Sequence, residues 1–267
     1  MEATLVIALI GVVSAMVASF ITRPVNAYVD QARRGELSDT ADAALRRIAR
    51  EIALALPNSV RVAGGGTLLE FLPMSAGGRY RAAPKADGSG DFLDFDNPAD
   101  GSFEVLGPAV DVAAGSSLVV YNLGLPGADA YSGESRRTLT SSGTALSTLA
   151  YTVGATQFPF PSPGNRFQIV GGPVTYACAA GAGGTGTLRR YTGYAIQAAQ
   201  PTSTGAAPLA ALSGSNASLL ADKVQACAFA LSSGASAGTA LVTLRLTLAS
   251  DGEALTLLHE VHLDNTP

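Results

Sequence analysis

The sequence predicts an α+β fold, in which a long N-terminal helix, membrane-spanning in its first half, packs on an antiparallel β-sheet head. Nineteen uncharged residues run from Ala3 to Ile21 behind the lone charge of Glu2. An amphipathic pattern follows to about Leu56. The 210 residues after Pro57 then break into short β-prone runs separated by Gly, Pro, Ser and Asp. The chain is thus expected to divide into a 1–22 transmembrane segment, a 23–56 stalk and a 57–267 head, the last ample for a core of its own.

As a helix the uncharged run rises about 28 Å, close to the roughly 30 Å hydrocarbon core of a bilayer. A cleaved signal peptide would show a positive start, a shorter apolar region and a small-residue cleavage site before a polar mature chain. Here the pattern continues into the stalk, so the segment reads as retained. A carboxylate beside a membrane helix costs a few kcal/mol unless it meets a cation or stays at the interface. Glu2 therefore needs a partner or a headgroup position.

In the stalk, Val29, Ala32, Leu37, Ala41, Ala44, Leu45, Ile48, Ile52 and Leu56 recur at three- and four-residue spacings with charges between them. One face is meant to be covered. Pro24 should kink the helix by removing a backbone bond and crowding the preceding turn, and Pro57 should stop it. Seven arginines between Thr22 and Arg61 outnumber five acids by two, while the rest of the chain apart from Glu2 has ten basic and fifteen acidic residues. Interspersed acids and a net charge of −4 argue against nucleic acid as a partner.

Strands are expected at 60–62, 68–72, 92–95, 103–106, 117–123, 167–169, 174–178, 188–196, 226–231, 241–248 and 254–263. The last two are the clearest: apolar and polar residues alternate from Leu241 to Leu248, Asp251-Gly252 turns the chain, and Ala254 to Leu263 returns. Glycine-rich stretches at 64–66, 181–186 and 206–218 lack the lysine and the strand-to-helix order of phosphate cradles and read as loops. No repeat of 20–50 residues stands out.

The cysteines, Cys178 and Cys227, both fall in the β-rich part. An oxidising compartment permits them to pair, and a bridge closing about 50 residues is worth roughly 4 kcal/mol in the chain-entropy account. No His or Cys stands at metal-ligand spacing and no Cys-x-x-Cys occurs, which disfavours a metal pair or a thiol nucleophile. His259 and His262 stand three apart in a strand, so their rings point to opposite faces. Asp91, Asp94, Asp96 and Asp100 supply hard oxygen ligands that suit calcium, but the EF-hand order and its closing glutamate are missing. No Gly-x-Ser-x-Gly elbow appears. The expectation is a protein that is not an enzyme and holds no metal or cofactor.

The segment from Glu2 through Thr4-Leu5-Val6 and Ile10-Gly11 to Met16 resembles the start of type IV pilin-like proteins. These begin, after cleavage, with an aromatic residue, a Thr-Leu-aliphatic run, a glutamate and an apolar helix with an Ile-x-x-Ile-Gly core. Aligning Gly11 with the family glycine places Glu2 on the family glutamate and Met1 on the aliphatic position before it. The resemblance implies that Glu2 pairs with the N-terminal ammonium of a neighbouring subunit and sets the stagger of helices in a filament. It also implies a basic leader and a cleavage site upstream of Met1, ending in something like Gly-Phe-Thr-Leu. The residues alone leave open a carboxylate in the headgroup region of a simple anchor. Arg23, Arg33 and Arg34, with no base before the apolar run, would by themselves place the bulk of the chain in the cytoplasm; the implied leader and the cysteine pair reverse that orientation.

The resemblance narrows over 20–62. Pro24-Val25-x-x-Tyr28, Arg33-Arg34-x-Glu36-Leu37, Ala44-Leu45-Arg46-Arg47-Ile48-x-Arg50-Glu51 and Ala55-Leu56-Pro57-Asn58-Ser59-Val60-Arg61 are similar to the MshO-type minor pilins of mannose-sensitive haemagglutinin pilus systems. The implied function is assembly or initiation of a type IV pilus. The implied partners are other pilin and minor pilin subunits, a prepilin peptidase, an inner-membrane assembly platform and membrane lipid. The implied place is a single inner-membrane pass with a periplasmic head, and the pilus near its tip. Open alternatives are a J-type pseudopilin of a type II secretion system and a membrane-anchored ligand-binding or adhesin domain, the last favoured by an exposed aromatic and acidic groove around Tyr131 or Phe158-Pro159-Phe160.

Overall fold

A computed structural model of the chain describes residues 2–233 and 238–267, and the side chains of residues 2, 18, 19, 21–24, 26 and 233 lie outside the description. Among the described residues there is one α-helix, α1, at Glu2–Ile52. It stops short of Leu56 because the chain beyond it finds other partners. The Leu56 amide donates to the Leu72 carbonyl at 2.8 Å and the Met74 amide to the Leu54 carbonyl at 3.0 Å. Strand-like pairing replaces the last helical turn before Pro57 can act as the stop.

Fifteen strands follow: β1 Arg61–Ala63, β2 Leu68–Phe71, β3 Met74–Tyr80, β4 Ser102–Leu106, β5 Val110–Val112, β6 Ser117–Val119, β7 Arg136–Thr138, β8 Gly143–Leu146, β9 Thr148–Ala150, β10 Arg166–Val170, β11 Val174–Ala179, β12 Gly186–Tyr191, β13 Ala217–Ser233, β14 Thr239–Ser250 and β15 Glu253–Asp264. Seven form one sheet in the order β1-β2-β11-β12-β13-β14-β15, six form another in the order β7-β6-β10-β3-β4-β9, and β5 pairs with β8. The β14–β15 hairpin is the longest regular unit, pairing Thr239 through Ser250 with Asp264 back to Glu253. Its turn works because Asp251 and Gly252 adopt φ of 48° and 87°, the left-handed pair that a two-residue hairpin needs.

The molecule has two principal cores. In the first, α1 lies on β13, β14 and β15 and buries Leu37, Ala41, Ala44, Leu45, Ile48 and Ile52 against alternate residues Val242, Leu244 and Leu246 of β14. Each large aliphatic side chain so covered contributes about 1.5–3 kcal/mol. The second core belongs to the six-stranded sheet and is aromatic. Phe103 stands 6.1 Å from Tyr80, 5.3 Å from Phe167 and 6.3 Å from Tyr151, ring centre to ring centre.

This arrangement corrects the expected α+β class. The chain is mostly β, and a long helix laid on one sheet does not describe it. The physical reason is the second core, which is built from strands and loops with no residue of α1 in it. Much of that sheet comes from segments with weak strand signals. β3 reads Met-Ser-Ala-Gly-Gly-Arg-Tyr, yet its glycines are needed: β10 pairs Phe167 with Gly78, and a Cβ on Gly78 would meet the Phe167 ring at 2.9 Å. Conversely, 92–95 forms no strand, because Asp94 and Asp100 turn their carboxylates onto nearby backbone amides, those of Asp96 at 3.0 Å and Asp94 at 2.8 Å.

The membrane-spanning expectation is also corrected. Among the described residues no helix is long and apolar enough to cross a membrane. The single inner-membrane pass with a periplasmic head is therefore not supported.

A polar cluster is built around β1 and β2. Glu70 is fully buried on β2, where it accepts from the Arg61 Nε and the Tyr194 hydroxyl, each at 3.1 Å. Burial pushes its carboxyl above the ordinary range, with the Arg61 charge opposing. Arg61 lies 3.5 Å over the Tyr131 ring and donates to the carbonyls of Gln197 and Ala198, so the loop after β12 is tied to β1.

Candidate assembly interface

Along α1 the sequence changes character at about residue 36, and so does its environment. From 3 to 17 every residue is exposed, and apolar side chains point in all directions. Ile7 is 70% exposed, Ile10 60% and Phe20 82%. A helix that is apolar all round belongs in an interior. Nothing among the described residues covers it.

Gly11 has open space where a Cβ would stand, with no atom within 4 Å. No contact among the described residues calls for glycine there. The side chains of Glu2 and Pro24 lie outside the described residues, as does Met1. The helix itself is unbroken across position 24.

From 30 to 36 the helix is fastened to the head by ion pairs. Arg34 holds Glu253 with two bonds of 2.7 and 3.1 Å, Arg33 reaches Asp251 at 3.2 Å, and Lys223 reaches Glu36 at 2.8 Å. The hydrogen bond from Arg34 holds the Glu253 carboxyl below the usual glutamate range, and Lys223 does the same for Glu36. Further down, burial pushes the Glu51 carboxyl up, but Arg190 at 2.8 Å and Arg47 at 3.2 Å bring the net shift below the ordinary value. Lys223, Arg190, Asp251 and Glu253 were not legible as partners of the stalk. The acids that flank Gly252 at the hairpin tip were the one available signal.

Cys178 and Cys227 are joined, with Cα atoms 6.5 Å apart. The bond links β11 to β13, two strands that converge where β12 begins. Gly186 fills that convergence: a Cβ there would collide with the carbonyls of Ala179 and Val224. The bridge therefore closes the floor on which α1 rests.

The remaining candidates are scattered. His259 faces the helix side of β15 while His262 is exposed on the other face, as strand parity requires. Among the described residues no group of three His, Cys, Asp or Glu is disposed to hold a metal ion. Of the residues expected to line an aromatic groove, Tyr131 and Phe158 are buried, while Pro159 and Phe160 are exposed, Phe160 at 48%. No protein-family model, curated protein or solved structure matches the chain at a significant level.

Proposed function

We propose that the chain is a minor pilin-like subunit, of MshO type, that acts in the assembly of a type IV pilus or pilus-like machine through helix packing and head contacts. The exposed apolar half of α1 carries this reading. Apolar surface on every side of a rod has to be covered from several directions. Apolar helices of neighbouring subunits do that, whereas a single groove on one partner would leave half the rod in water. The pilin-like residues around Glu2 and Gly11 and the MshO-like steps of the stalk support the same reading. The work is packing, with the ion pairs at 33–36 holding the head at a fixed place on the rod.

Ile10→Asp tests this. Burying an unpaired carboxylate among helices costs several kcal/mol, so the variant should be lost from assemblies formed with the other subunits while its head unfolds at the unchanged temperature. Normal incorporation of the variant would overturn the proposal.

A further inference from the structure

Strand β15 ends the seven-stranded sheet, so one of its edges faces no strand among the described residues. The turn decides which backbone groups point off that edge. In a two-residue hairpin the closing pair, here Ser250 and Glu253, exchanges hydrogen bonds, and so does every second pair beyond it. The Asn265 amide, which donates to the Gly238 carbonyl at 2.7 Å, continues the same alternation. Ala254, Thr256, Leu258, Glu260 and His262 therefore direct their N–H and C=O groups away from the sheet. Leu258 adds a side chain that is 61% exposed.

A groove of about 440 Å³ lies beside this strand, lined by Ala43, Arg46, Ala49 and Arg50 of α1 and by His259 of β15. Ala43 and Ala49 are short, which leaves room between helix and sheet for the side chains of one more strand. The arginines make that space cationic. Arg46 uses its Nε for Asp42 at 2.7 Å, and Arg50 is exposed with no ion pair among the described residues. One helical turn separates the two arginines by about 6 Å, and alternate residues of a strand stand about 6.8 Å apart. Two carboxylates on successive inward positions of an added strand meet both guanidiniums.

We propose that the open edge of β15 docks an extended acidic segment of a partner protein, which adds as an eighth strand beneath the flank of α1 and sets its carboxylates against Arg46 and Arg50. Backbone pairing would supply the affinity and the arginines the selectivity. A second copy of β15 is the wrong occupant, because its inward residues from Leu255 to Leu263 bring His259 and aliphatic side chains to the arginines and no carboxylate. This inference goes beyond the helix-packing reading and stands without it.

The test uses the full chain in mild detergent and a fluorescent peptide, TVTETETVT, whose valines and glutamates face inward, against its lysine counterpart TVTKTKTVT. Anisotropy should show the glutamate peptide binding at least about tenfold more tightly. Leu258→Pro removes only an outward N–H, which an edge strand tolerates, and should weaken binding by a similar factor. The double change Arg46→Glu, Arg50→Glu keeps the test valid if the proline variant fails to fold, and should reverse the preference between the peptides. Equal binding of the two peptides, no binding up to millimolar concentration, or full affinity in Leu258→Pro would each overturn the proposal. So would an edge-to-edge dimer of the chain that the peptide breaks, since the occupant would then be a second copy.

Discussion

The two halves of α1 are built from similar amounts of apolar side chain, and only one of them is covered. Between 37 and 52 the apolar residues keep to one stripe, and the sheet meets that stripe: Ile48 is fully buried. Between 3 and 17, and at Phe20, they go round the helix, and nothing among the described residues covers them. The difference teaches how the rod divides its work. A stripe can be satisfied by one surface of the same molecule, whereas a fully apolar cylinder requires several neighbours.

The comparison can be broken from below by removing the floor of the covered half. Replacing both Cys178 and Cys227 by alanine frees a 49-residue connection, which costs about 4 kcal/mol in the chain-entropy account; denaturant unfolding should show the loss, and the 3–20 segment should not respond. Ile48→Ala attacks the same half directly. Its cost is expected at about 2–5 kcal/mol from lost burial and the cavity left behind, a fall in Tm of roughly 2–4 °C for each kcal/mol in a chain of this size. The same truncation at Ile10 should change the unfolding of the isolated chain by less than about 0.5 kcal/mol, as for an exposed site. A large effect at Ile10 would end the distinction between the halves.

The ion pairs at the boundary sharpen the contrast in a different way. Arg34→Ala removes an exposed pair and should have the smallest effect on stability, smaller still at high salt. Glu253 and Glu36 have folded-state values below their unfolded ones, so their stabilisation is complete above the ordinary glutamate range and is lost as pH falls through the depressed values. Arg34 and Lys223 are shifted upward by the same partners, and their share is lost only at strongly alkaline pH. Fluorescence from a probe at the hairpin tip should therefore report loosening of the 33–36 contacts in acid in the wild type and a weaker pH response in Arg34→Ala.

The covered half was legible in the sequence because its signals are local and periodic. The 37–52 stripe, the Asp251-Gly252 turn and the alternation of β14 each need only a few neighbouring residues to be recognised. The second sheet was not. Gly77 and Gly78 look like loop residues until Phe167, some ninety positions later, is seen to lie against them. Asp94 and Asp100 look like strand flanks or ligands until their carboxylates are seen to hold backbone amides. In the candidate site, the exposed apolar run could be read directly, but the partners of Arg33, Arg34 and Glu36 lie about 190–220 residues away and depend on the hairpin's final position.

The most direct measurement is hydrogen exchange along α1 in the isolated chain and in assemblies with its neighbours. Amides of 37–52 should be protected in both states, because the sheet already supports them, and those of 3–20 should exchange rapidly alone and become protected on assembly. Equal protection of 3–20 in both states would contradict the account, since the apolar half would then have no neighbour to wait for.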